Sequence, residues 1–116
     1  MFSLGPSYQY YLFPEPTDMR KSFDGLSGLV RSRLGQDPLS GNVFIFINKR
    51  CTLMKLLKWE AGGFVLFFKR LEQGTFEFPD NKSPLRWMDL VLLIDGIKLR
   101  SVRRKARFNL PKTSSK

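Results

Sequence analysis

The hydrophobic period of this chain switches repeatedly between that of a strand and that of a helix. Aromatic residues crowd YQYYLF, 8–13, between Pro6 and Pro14, which predicts a short strand closed off by PEP. Over 18–34 the apolar positions Met19, Phe23, Leu26, Val30 and Leu34 recur at spacings of three and four, with Leu29 widening the stripe. That pattern is one buried face of an amphipathic helix. Thr17 or Asp18 would accept the amide protons of its first turn, and Gly25 and Gly28 inside it point to an element packed closely there. After the loop LGQDPLSGN come four segments with strand signals, NVFIFIN, TLMKLLKWE, GFVLFFKRL and TFEF, separated by KRC, EAGG and EQG. VFIFI lacks polar alternation and should be a central strand covered on both faces, whereas Lys55 and Lys58 mark its neighbour as partly exposed. A second helix follows, with Ser83 as cap, Pro84 at its first position, Leu85, Met88, Val91 and Leu92 as its stripe, and Gly96 at its end. Trp59 and Trp87 fall within apolar patterns and read as core anchors.

The fold class expected is therefore α+β: an antiparallel sheet, a β-meander of about four or five strands, packed by two helices on one face, with a basic C-terminal tail. Residues 1–99 read as a single domain and 100–116 as the tail. At 116 residues and 42% hydrophobic composition, one domain can hide roughly 65% of the surface its unfolded chain exposes.

Charge changes the picture more than composition does. Of the net +10, residues 1–96 supply only +2, from twelve basic and ten acidic side chains, while 97–116 hold eight basic residues and no acidic one. A basic extension on a near-neutral body implies a polyanionic partner, nucleic acid first and an acidic membrane surface or protein second; a merely solubilising end is the alternative. Within it Arg100, Arg103, Arg104, Lys105 and Arg107 fall within eight residues, and coiled as a helix all but Lys105 would share one face. In the body, Arg20 and Lys21 stand at the expected helix start, where cations oppose the dipole unless an anion such as phosphate reverses the sign. Asp18 and Asp24 could instead neutralise the pair. Lys49 and Arg50 lie at an expected hairpin tip, either as plain solvated charge or as a β-ribbon approaching a groove. Lys69 and Arg70, beside Glu72, read as a surface ion pair.

Several chemistries are excluded. With no His and one Cys, the chain lacks the ligands of a typical Zn site and the usual base for a Ser or Cys nucleophile. A Mg-dependent nuclease could still be built from carboxylates. Yet Asp18 reads as a cap, Asp37 and Asp80 as turn residues, Glu60 and Glu72 as hairpin ends, and Asp24 as helix surface. No Gly-rich phosphate loop occurs. Cys51 has no disulfide partner, and no apolar run reaches the roughly 18 residues of a membrane span, so a cytoplasmic protein without cofactor, small-molecule substrate or membrane contact is expected.

In order, YLFPEPTDMRKSFDGLSGLV, DPLSGNVFIFINKR, KLLKWEAGGFVLFFKRLEQGTFEFP and a closing LLIDGI resemble the accessory TnpB-type protein of bacterial insertion-sequence family number 66, over about residues 8 to 99. That family is unrelated to the RNA-guided nucleases of the same label. The resemblance implies a small protein needed beside a separate DNA-cutting transposase. Joined to the basic tail, it implies a non-enzymatic accessory factor for transposition that binds DNA phosphates through Arg20, Lys21, Lys49, Arg50 and the tail cations. The alternative is a module that binds the transposase without touching DNA. Two positions depart from the family pattern, which commonly has Gly where Ser22 and Cys51 stand; a hairpin relying on positive φ at Cys51 would be strained.

Overall fold

The computed structural model describes residues 4–77 and 86–96. VFIFI forms β2 (Val43–Ile47), and all five of its side chains are fully buried. It is flanked by β1 (Tyr10–Leu12) and β3 (Leu53–Glu60), and β4 (Gly63–Arg70) completes a four-stranded sheet in the order β1-β2-β3-β4. The α+β class holds. The sheet is mixed rather than purely antiparallel: β1 runs parallel to β2, with Tyr10 opposite Val43, while β2–β3 and β3–β4 are antiparallel hairpins. Helix α1 (Phe23–Ser32) lies between β1 and β2 in the chain and carries it back to the starting edge, so the two strands point the same way. The fourth strand is thus β1. Residues 75–77, the described part of TFEF, form no strand; Phe76 donates its amide to the Cys51 carbonyl at 2.6 Å and buries its ring.

Alternation along β2 and β3 divides the core in two. Val43, Ile45, Ile47, Met54 and Leu56 meet Leu90 and Leu93 of α2 (Trp87–Ile94), whereas Phe44, Phe46 and Leu57 meet Leu26 and Val30 of α1. The helices therefore cover opposite faces, not one face, because a strand apolar on both sides needs a layer on each. Trp87 packs its ring 5.8 Å from Tyr10, and Trp59 sets its edge against Phe64 at 5.0 Å.

Several local expectations change. Helix α1 starts at Phe23 rather than at 18, with Ser22 at the N-cap position and Arg33 at the C-cap; Thr17 and Asp18 do not cap it. Gly25 faces the side-chain stem of Lys21, 3.1 Å from where a Cβ would sit, and Gly28 faces open space, so no element packs closely at either. Lys58 is buried, not exposed: its ammonium pairs with Glu60 at 3.3 Å and lies 4.5 Å from the centre of the Tyr8 ring. In α2 the inward face is Leu90 and Leu93, and Met88, expected in the stripe, is exposed. Six of its eight residues are aliphatic or aromatic apolar types apart from Met88 and Asp89, so periodicity could not fix its phase. Buried Asp89 is met by Arg86 at 3.3 Å. Gly96 ends the helix at φ 78 as expected, while Ser83, Pro84 and Leu85 lie outside the described residues.

Ala61 and Gly62 are the two central residues of the β3–β4 turn and both have positive φ, 50° and 84°, as a type I′ hairpin requires. Left-handed backbone costs a residue with a Cβ roughly 1–2 kcal/mol, and among these Asn tolerates it best. Ala61→Asn is expected to raise the unfolding free energy by about 0.5–1 kcal/mol, read as a higher urea midpoint at unchanged m. A lowered midpoint contradicts this reading of the turn.

Candidate nucleic-acid interface

Where β2 ends, the chain turns through Asn48, Lys49, Arg50 and Cys51 before β3 begins. Cys51 donates its amide to the Asn48 carbonyl at 3.0 Å, and the Asn48 side-chain oxygen accepts from the amides of Thr52 and Leu53 at 2.9 and 3.0 Å. This side chain stands in for backbone and holds the tip. Cys51 has φ 59°, so the turn does rely on positive φ at that position, at a cost of roughly 1–2 kcal/mol for a residue other than Gly. Its half-buried side chain packs against the α2-side core. Lys49 and Arg50 are exposed, with no side-chain partner among the described residues.

Arg20 and Lys21 sit in the turn before α1, not in its first turn. Thr17 donates its amide to the Ile47 carbonyl at 2.9 Å, which fastens this segment to the end of β2. From β3, the Lys55 ammonium donates to the Met19 and Lys21 carbonyls at 2.8 and 2.9 Å. The segment is thereby pinned to the end of β2 that leads into the Lys49–Arg50 tip. Arg20 is bound by Asp18, not Asp24: its guanidinium spans both carboxylate oxygens, at 2.7 Å for the shortest contact, and its amide donates to Oδ1 at 2.9 Å. The side-chain hydrogen bonds of Arg20, then its amide, hold the Asp18 carboxyl down at about 2. Lys21 is exposed and has no side-chain partner among the described residues.

The far end of the hairpin β3–β4 returns to the same place. Leu53 pairs with Arg70, and Arg70 forms an exposed ion pair with Glu72 at 3.0 Å, as its sequence position suggested. Lys69 instead donates to the Ile94 carbonyl at 2.7 Å, closing the C-terminal end of α2, where a cation also suits the dipole. Gly96 then lies against Leu71, with 3.4 Å between the Leu71 methyl and the place of a Cβ. Arg100, Arg103, Arg104, Lys105 and Arg107 lie outside the described residues; Gly96, the last described residue before them, lies at this end.

The sequence missed the lysines that tie the end together, Lys55 and Lys69, because their acceptors are backbone carbonyls distant in the chain. Among the described residues no three His, Cys, Asp or Glu side chains stand close enough to hold a metal ion. An open groove lined by Leu12, Pro14, Glu15 and Leu34 offers one polar side chain, Glu15, already bound to Arg33. No helix among the described residues is long and apolar enough to cross a membrane.

A small α+β protein with a helix on each face of a mixed sheet, and with several exposed cations at the end where β2 runs into its hairpin tip, is the class this geometry defines. The chain belongs to the family described as IS66 Orf2 like protein, whose model matches residues 8–104, which ties it to insertion-sequence transposition. It is similar to the uncharacterized protein y4jC of Sinorhizobium fredii (strain NBRC 101917 / NGR234), 36% identical over 107 residues that cover 88% of this chain and 92% of the relative. The uncharacterized protein y4hO of the same strain is 34% identical over 79 residues, 68% of this chain and 69% of the relative. No solved structure matches.

The Arg20–Asp18 clasp has a pH signature. A carboxyl lowered in the folded state contributes stability that is fully present above the ordinary carboxylate pKa, about 3.9, and is lost as pH falls toward about 2. Followed by NMR, the Asp18 carboxyl is expected to titrate near pH 2, and in Arg20→Ala to move back toward the ordinary carboxylate range. A midpoint unaffected by Arg20→Ala refutes the clasp.

Proposed function

We propose that this protein is a non-enzymatic accessory factor of insertion-sequence transposition that holds DNA by its phosphates while a separate transposase cuts. What supports this reading is that Lys49 and Arg50 stand exposed at the β2–β3 tip, that the exposed Lys21 belongs to a segment tied to the adjoining end of β2, and that Gly96, the last described residue before Arg100, Arg103, Arg104, Lys105 and Arg107, lies at the same end. In this reading 1–99 is the folded body and 100–116 a basic tail that lies along the backbone of the duplex. Phosphate contacts of this kind position a protein without reading sequence. Arg20 joins them only when it leaves Asp18.

Each phosphate neutralised contributes about −0.9 to the slope of log affinity against log salt on duplex DNA. Titrated at several salt concentrations, the full chain is expected to show a steep negative slope. Removal of 100–116 should flatten it by about 4.5, from roughly five cations, and Lys49→Ala with Arg50→Ala by about 1.8. Asp18→Asn frees Arg20 and should steepen the slope by about 0.9. Salt-insensitive binding, or none at low salt, overturns the reading in favour of a module that docks on the transposase, for which β4 offers an open sheet edge among the described residues.

A further inference from the structure

The α1 side of the sheet carries aromatic surface that phosphate contacts do not use. Phe64, Leu66 and Phe68 alternate onto that side of β4, opposite Trp59, Leu57 and Lys55 of β3. Phe68 is 53% exposed and Phe23, at the start of α1, is 41% exposed, a large exposure for side chains of this size. Their positions are fixed by neighbours. Phe23 lies nearly parallel to Phe64, with ring centres 6.4 Å apart and planes at 19°, and Trp59 buttresses Phe64 edge-on. The Lys55 ammonium, anchored on the Met19 and Lys21 carbonyls, stands 5.4 Å from the centre of the Phe68 ring.

Phe68 also borders the cationic end, two residues before Arg70, which faces Leu53 across the hairpin. An exposed ring with a fixed cation beside it, and free Lys21, Lys49 and Arg50 at the same end, matches a ligand that alternates flat π faces with negative charge. Bases in a duplex keep their faces stacked on one another, so only unpaired bases can use this surface. We propose that this face stacks the bases of single-stranded DNA while the cationic end holds its phosphates. The inference rests on the DNA-binding reading above and names the form of DNA it favours.

Fluorescence anisotropy of the full chain with a labelled oligo-dT, and with a blunt duplex of equal length, tests it. Wild type is expected to bind oligo-dT more tightly than duplex. Phe68→Ala should weaken oligo-dT binding on the order of tenfold while changing duplex affinity less than about twofold, and Phe68→Trp should retain the wild-type preference. Equal affinity of wild type for both DNAs, equal loss on both in Phe68→Ala, or no loss on oligo-dT overturns the proposal. Salt-dependent duplex binding together with any of these leaves the phosphate reading standing, whereas absence of binding to either DNA removes both. If Phe68→Ala abolishes co-purification with the transposase and leaves oligo-dT affinity unchanged, the face belongs to a protein partner and the proposal falls.

Discussion

The burial of β2 on both faces is the constraint from which the rest of the architecture follows. Five consecutive apolar side chains, all fully buried, stabilise the fold by about 1.5–3 kcal/mol each only when both sides of the strand are covered. One helix cannot do that. The chain supplies α1 over Phe44 and Phe46, and α2 over Val43, Ile45 and Ile47. Placing α1 between β1 and β2 then fixes β1 as a parallel neighbour and brings the segment that follows β1 to the C-terminal end of β2.

That end divides its cations by task. Lys55 and Lys69 spend their hydrogen bonds on backbone carbonyls, of the turn before α1 and of the end of α2, and so lock both helices to the sheet. Arg20 and Arg70 are matched by Asp18 and Glu72. Lys21, Lys49 and Arg50 remain exposed and without side-chain partners among the described residues. The arrangement leaves exposed positive charge on a hydrogen-bonded frame, at the end where Gly96, the last described residue before the basic C-terminal stretch, lies. The same frame fixes the Phe68 ring beside it, so the charged and aromatic surfaces share one support, the Lys55 side chain.

Much of this frame was legible in the sequence because its signals are local. VFIFI announced a doubly covered strand, and EAGG and NKRC announced the two hairpins. Among the features that differ from the sequence reading, three show the physical reason most clearly. The helix spacing extended back to Asp18, but its carboxylate binds Arg20 and ends that turn before the helix begins. A parallel pair needs a long crossover, which the segment containing α1 supplies between β1 and β2, and the antiparallel expectation overlooked that geometry. Lys58 looked exposed because the partner that makes its burial tolerable, Glu60, and the ring beneath it, Tyr8, become neighbours only in the folded sheet. The candidate site was legible in part: Lys49 and Arg50 stand at a hairpin tip as expected. The anchoring of the Lys21 segment at the end of β2 is tertiary, made by Thr17 on Ile47 and Lys55 on the turn, and no spacing in the chain encodes it.

The decisive question is whether one end of the sheet meets the polyanion. Amide chemical-shift mapping of the full chain during titration with DNA measures this directly. The account predicts the largest changes at Lys21, Lys49, Arg50, Cys51 and Leu71, with Ala61, Gly62 and Asp37 at the opposite end and surrounding loops unmoved. Changes centred on Ala61 and Gly62, or spread evenly over both ends, would contradict it.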